Sequence, residues 1–205
     1  MLASNVVALV MAAGYSRRYG KDDKRCAKLA DGRSLLAASV AKAEQAFPLL
    51  RVAVRAEDDA KLLGLAEHTP LIRLHQAHLG LGASLAEAVR ALSHDAQLNS
   101  GEAVAILLGD MPWIKQETLL SLQRLATRDT ILRPCHEGKP GHPVIFGRTL
   151  WPALETLTGR TGAKDIIRDN AAHYRTYAVQ DAGTLIDIDT PAGLVVPEHT
   201  TPDEA

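Results

Sequence analysis

The chain has 205 residues, enough for one domain that buries about 70% of the surface its unfolded form would expose. Its 23 Lys and Arg against 24 Asp and Glu leave a formal net charge of −1, so no global field draws it to nucleic acid or to an anionic membrane. Two cysteines, Cys26 and Cys135, supply neither a disulfide framework nor a CxxC metal site, and they suit a reducing compartment.

Met1 to Ala13 is apolar enough to mimic a secretory leader, but every arginine follows the apolar run instead of preceding it, the reverse of a signal peptide. No stretch approaches the ~20 apolar residues that span a bilayer. The expectation is a cytoplasmic protein with neither a membrane nor a nucleic-acid partner.

In chain order, Val6 to Met11 reads as a buried parallel strand, apolar on both faces and too short for a helix. Leu35 to Phe47 carries helical spacing and stops before Pro48. Arg51 to Val54 is a short strand. Asp58 to Glu67 is expected to be helical, opened by paired acids at its N-terminus. Leu71 to Leu74 is another strand. A helix is expected from Ala83 or Ser84 to about Leu92, with Ser84 and Glu87 spaced as a capping box. Ala103 to Leu108 is the second strongly apolar strand and runs into Gly109-Asp110-Met111-Pro112. Glu117 to Ala126 is a helix and Thr130 to Arg133 a strand. Pro143 to Phe146, Thr149 to Leu157, Gly162 to Asn170 and Tyr174 to Val179 continue the alternation. Leu185 to Ile188 is expected as a last strand, closed by Asp189-Thr190-Pro191. Such alternation predicts a mostly parallel sheet with helices on both faces, in one domain over 1–196 followed by a polar tail over 197–205.

Ligands of such sheets bind beyond the carboxyl ends of the strands. The loop after the first strand, Gly14-Tyr15-Ser16-Arg17-Arg18-Tyr19-Gly20, combines glycines that let a ligand approach the backbone with a hydroxyl and two guanidiniums suited to phosphate oxygens. An ordinary turn with solvated arginines would look the same locally. It is not a P-loop, since five residues separate Gly14 from Gly20 and Asp22 follows Lys21. Nor does Gly80-Leu81-Gly82-Ala83-Ser84-Leu85 complete a dinucleotide fingerprint, because Leu85 stands at the third glycine. A nicotinamide oxidoreductase is disfavoured accordingly.

Asp110 ends a buried strand, where a carboxylate faces the ligand crevice. Asp187 and Asp189 alternate around Ile188 and so point the same way. Hard magnesium takes such oxygen ligands together with substrate phosphates; taken singly, each acid also reads as a helix cap. His142, Cys135 and His136 match no zinc spacing. Trp113 and Trp151 read as core or rim anchors.

These pieces together resemble the nucleotidyltransferases that act on molybdenum cofactor. Ala12-Ala13-Gly14-x-Ser16-x-Arg18-x-Gly20 with Asp23-Lys24-Arg25 resembles their opening motif, and Gly109-Asp110-Met111-Pro112 their magnesium motif. Gly80 to Ala86 resembles their base- and ribose-facing segment. Arg133-Pro134, Gly138-x-x-Gly141-His142-Pro143 and Asp187-Ile188-Asp189-Thr190-Pro191 continue in family order. The resemblance implies an α/β, Rossmann-like nucleotidyltransferase fold, a three-layer sandwich. It implies that Ser16 and Arg18 hold the β- and γ-phosphates and Lys24 the α-phosphate, with Ala12, Ala13, Gly14 and Gly20 forming the nucleotide loop. Gly80, Gly82 and Ser84 would face the nucleoside, and Asp110 and Asp189 would bind Mg2+. Lys24, Arg18 and Asp110 are then the catalytic set, and His142 and Gly162 lie on the acceptor side.

Ala-Ala-Gly, where guanylyl-transferring members carry Ala-Gly-Gly, points to CTP as donor. The implied reaction moves CMP to the phosphate of a molybdopterin-type cofactor, with an apo-molybdoenzyme or its maturation factor as a further partner. GTP, a sugar phosphate or methylerythritol phosphate are the alternatives, as is a nucleotide-binding carrier of the cofactor. The chain departs from the pattern twice. The Gly20 to Lys24 spacing is one residue long, which leaves Lys28 as a second choice, and Arg160 replaces an acid in Gly159-Arg160-Thr161-Gly162-Ala163-Lys164.

Overall fold

The computed structural model describes residues 5–15, 19 and 22–194. Ser16, Arg18 and Gly20 of the expected nucleotide loop lie outside the described residues, as does the 197–205 tail.

Strand β1 (Val6–Met11) forms the middle of the sheet, because both of its faces are apolar and every residue in it is buried. Its even positions Val6, Ala8 and Val10 pack on Leu36, Val40 and Ala43 of α1 (Leu35–Ala46) and on Leu119 and Leu122 of α3 (Gln116–Leu125). Its odd positions Val7, Leu9 and Met11 pack against Leu85, Val89 and Leu92 of α2 (Leu81–His94), with Trp151 and Leu154 of α4 (Trp151–Glu155) and Ile166 of α5 (Lys164–Asp169) in the same cluster. The period-2 strand thus separates two helical layers, and a three-layer α/β sandwich follows.

Beside β1 lie β2 (Leu49–Arg55) and β4 (Ala103–Leu108), both parallel to it, and β3 (Leu71–Leu74) is parallel to β2. Beyond β4 the sheet continues through β7 (Val144–Gly147) to β5 (Ile131–His136), each pair antiparallel, with the two-residue β6 (Lys139–Pro140) antiparallel to β5. The last strand, β8 (Tyr174–Ala178), is parallel to β5. Only β7 and β6 therefore run against the others. The sheet is mixed but mostly parallel, and β1, β2 and β4 open their carboxyl ends on one rim.

Three sequence expectations fail locally, each for a visible reason. Residues 56–69 form turns instead of the helix expected from Asp58 to Glu67. There Asp58 is engaged by two arginines, and Gly64 takes φ +76° so close to Ser34 that a Cβ would stand 2.6 Å from its Oγ. Helix α2 starts at Leu81, earlier than the capping-box spacing suggests. Its first N–H groups, from Gly82 and Ala83, reach the Gly159 carbonyl. Ser84 Oγ instead donates to Gly80 O, and the Glu87 carboxylate accepts from the backbone N–H of His75 and Gln76. Leu185 to Ile188 is no strand: a 3-10 turn over Ala182–Leu185 leads into extended chain that forms no ladder. The alternation inferred there still holds, with Ile188 fully buried between exposed Asp187 and half-buried Asp189.

Candidate active site

A cavity of about 420 Å³ opens on the rim formed by the ends of β1 and β4. The chain leaves β1 through Ala12, Ala13 and Gly14, which form one wall. The two strand ends lie flush because Gly109 N donates to Met11 O at 3.0 Å, and a Cβ on Gly109 would meet Leu36 Cδ1 at 2.8 Å. A side chain there would have to displace Leu36, and glycine avoids that while delivering Asp110 into the cavity one residue later.

Lys24 opens a 3-10 turn (Lys24–Cys26) and sends its ammonium across the cavity floor. Its Nζ donates to Asp110 Oδ2 at 2.6 Å, to Asp189 Oδ1 at 3.0 Å and to Ile188 O at 3.3 Å. Asp189 reaches the site because Ile188 N donates to Asp110 O, while the Ile188 side chain anchors the segment among Leu29, Leu35 and Ala38. Burial pulls the Lys24 pKa down, but hydrogen bonds to Asp110 and Asp189 and their charges outweigh it and leave the net value raised. For Asp110, burial dominates and raises the pKa, against the opposing Lys24 contact.

Asp110, Asp187 and Asp189 each bring a carboxylate oxygen to within 4.8 Å of the other two. Among the described residues, Asp110 Oδ1 is buried with no hydrogen-bond partner. A hard divalent cation fits this set: all the donors are oxygens, and one is an orphaned anionic atom that only a cation or a proton donor would satisfy.

The opposite wall is the 80–84 turn. Gly80, Leu81 and Ser84 face the cavity, together with His78 and Arg160. Gly80 has φ +116°, and a Cβ there would meet Arg160 Cα at 2.8 Å, so the 158–162 loop is interlocked with the turn. Gly82 serves this docking and does not line the cavity, since its Cβ would run into the Thr158 and Thr161 carbonyls. Gly162 likewise packs on Leu81.

His142 lies beside the site, outside the cavity wall. Burial and the neighbouring charge of Arg133 hold its imidazole down to about 4, and among the described residues its Nδ1 has no partner. Lys28 is exposed and forms no part of the cavity. Of the expected residues, the structure therefore brings together Ala12, Ala13, Gly14, Lys24, Gly80, Ser84, Asp110 and Asp189, and leaves Gly82, Gly162 and His142 outside the wall. Tyr15, Tyr19, His78 and Leu108 also line the cavity without a role assigned from the sequence, and so does Arg25, which is buried at the cavity edge. Arg25 stands in the Asp23-Lys24-Arg25 motif, the one signal that could have found it, whereas the others carry no local pattern and only the folded rim gathers them.

The MobA-like NTP transferase domain family matches residues 8–176. The bifunctional protein GlmU of Sphingopyxis alaskensis is 26% identical over 146 residues, and the match spans 71% of this chain but only 31% of that protein. The crystal structure of a homolog of Mycobacterium tuberculosis Rv0371c, from Mycobacterium sp. strain JC1, is 30% identical with a TM-score of 0.79, covering 94% of each chain. A structure of Rv0371c itself in complex with manganese is 24% identical with a TM-score of 0.74, over 92% of this chain and 95% of that one. No helix among the described residues is long and apolar enough to cross a membrane.

Proposed function

The chain belongs to the MobA-like NTP transferase domain family and is a nucleotidyltransferase; from that premise we propose that it transfers CMP from CTP to the phosphate of a molybdopterin-type cofactor. The observation that carries the reading is the meeting of Lys24, Asp110 and Asp189 on a cavity bounded by the Gly14 loop and the Gly80 turn. The acceptor phosphate oxygen forms a bond to the α-phosphorus, the bond from that phosphorus to the β-bridging oxygen breaks, and pyrophosphate leaves in line. No protein nucleophile is needed, since positioning and charge stabilisation carry most of phosphoryl chemistry.

In this reading Lys24 turns from its carboxylates to the α-phosphate and neutralises charge growing there. Ser16 and Arg18, by matched position, hold the β- and γ-phosphates. The Gly80 turn, with apolar Leu81, receives the nucleoside. A divalent cation held by Asp110, Asp189 and Asp187 would shield the phosphates from one another, and Mg2+ suits those oxygens. The manganese in the Rv0371c relative supports a divalent cation in this family. Ala13, which lines the cavity, supports CTP through the resemblance of Ala12-Ala13-Gly14 to the cytidylyl-transferring members.

Pyrophosphate release with CTP, GTP, ATP and UTP in turn, against purified molybdenum cofactor with Mg2+, tests the reading. Release with CTP alone supports it, and release with GTP keeps the family but overturns the base. Release only with a sugar phosphate or methylerythritol phosphate overturns the acceptor. Tight nucleotide binding with no release from any pair favours a cofactor carrier.

A further inference from the structure

Arg25 follows Lys24 directly, yet its side chain turns the opposite way. Lys24 reaches toward the end of β4, while Arg25 reaches beneath the ends of β1 and β2, with only 5% of its side chain exposed. All five of its N–H groups are used. Nε and Nη2 fork onto Asp23, Nη1 and Nη2 fork onto Asp58 at 2.6 and 2.8 Å, and Nη1 donates also to Ala12 O at 2.6 Å. Asp23 also caps the Lys24–Cys26 turn by accepting from Arg25 N. Asp58 accepts from the backbone N–H of Arg55 at the end of β2. The Arg55 side chain returns to Asp23 at 2.8 Å and covers the ring of Tyr15, 4.8 Å from its centroid.

Two arginines and two aspartates thus tie the Lys24 turn, the first residue of the Gly14 loop and the end of β2 into one rigid unit. Buried ion networks of this kind seldom stabilise a fold more than apolar packing would. What a bidentate guanidinium adds is fixed geometry. Resting on the proposed role of Lys24 in transfer, we infer that Arg25 is a positioning residue. It holds the Lys24 backbone and the Ala12 carbonyl in register, so that Lys24 moves between its carboxylates and the nucleotide by side-chain rotation alone.

The test is turnover of Arg25→Ala and Arg25→Lys with CTP and acceptor, together with amide hydrogen exchange over residues 23–28. A misplacement near 1 Å costs about a hundredfold in rate, so kcat should fall by about that factor while the nucleotide KM rises less. Millimolar methylguanidinium should restore Arg25→Ala at least tenfold better than ammonium, a rescue that a merely unstable protein would not show. If Arg25→Ala does not fold, Arg25→Lys carries the test: it keeps the charge but not the planar fork, so kcat should still fall and amides 23–28 exchange faster. Turnover of Arg25→Lys within twofold of wild type, or equal rescue by ammonium, overturns the inference. If the wild type is silent with every nucleotide, the transferase reading fails instead. Exchange at 23–28 then decides the clamp, unchanged protection in Arg25→Lys refuting it.

Discussion

Lys24 holds Asp110 and Asp189, two of the carboxylates that a divalent cation would use, so removing its ammonium should tighten metal binding even as it lowers turnover. Lys24→Gln is the perturbation. Nζ lies 2.6 Å from Asp110 and 3.0 Å from Asp189, and the side chains are 14%, 18% and 27% exposed in that order. At an effective dielectric near 20, such a pair attracts by about 4 kcal/mol at 4 Å before desolvation is counted. A divalent cation on these carboxylates competes with the ammonium for Asp110 and Asp189 and then tolerates that positive charge nearby. If a quarter to three quarters of one pair's attraction survives desolvation, the penalty is about 1–3 kcal/mol, or roughly 5- to 150-fold in Kd. Titration of nucleotide-free protein with Mn2+, followed by electron paramagnetic resonance, reads this directly. Tighter binding by Lys24→Gln, lost again in Lys24→Gln/Asp110→Asn, is the expected result. Equal or weaker binding by Lys24→Gln would refute competition for one site.

Lys24→Ala should lose about 10²–10³ in turnover, the scale for a charge-stabilising donor, whereas Lys28→Ala should keep turnover near wild type in the same pyrophosphate assay. Between pH 6.5 and about 4 the unfolded chain binds a proton at His142 that the folded protein refuses, so stability falls as the pH drops through that window. The loss reaches at most about 3 kcal/mol, and urea titrations should show a flatter profile for His142→Gln. Gly82→Ala places a Cβ against the Thr158 and Thr161 carbonyls, which must move; chemical denaturation should show about 1–3 kcal/mol lost.

The layered fold was legible because β1 and β4 are apolar on both faces and the helices carry their stripes, signals that survive without tertiary information. The candidate site is legible where chemistry and strand ends coincide, at Ala12 to Gly14 and Asp110, whereas Lys24 and Asp189 lie on a 3-10 turn and an unpaired segment and are marked in the sequence by the family resemblance. Asp58 was misread because an acid before an apolar-periodic segment resembles a helix cap, while its real partners, Arg25 and Arg55, are distant or silent in sequence. The capping box failed because the Gly159 carbonyl, far along the chain, already accepts from the first N–H groups of α2. Asp187 to Asp189 was right in side-chain direction and wrong in ladder, since extended backbone alternates faces whether or not a neighbour pairs with it.

Nucleotidyl transfer is tested by following the two ends of the donor separately. CTP labelled at the α-phosphorus, and in a parallel reaction at the γ-phosphorus, is incubated with the protein, Mg2+ and molybdenum cofactor. Transfer puts the α label in the cofactor and the γ label in pyrophosphate, in equal amounts and dependent on Lys24. An α label that stays in free CMP, or a γ label that appears in the acceptor, would contradict it.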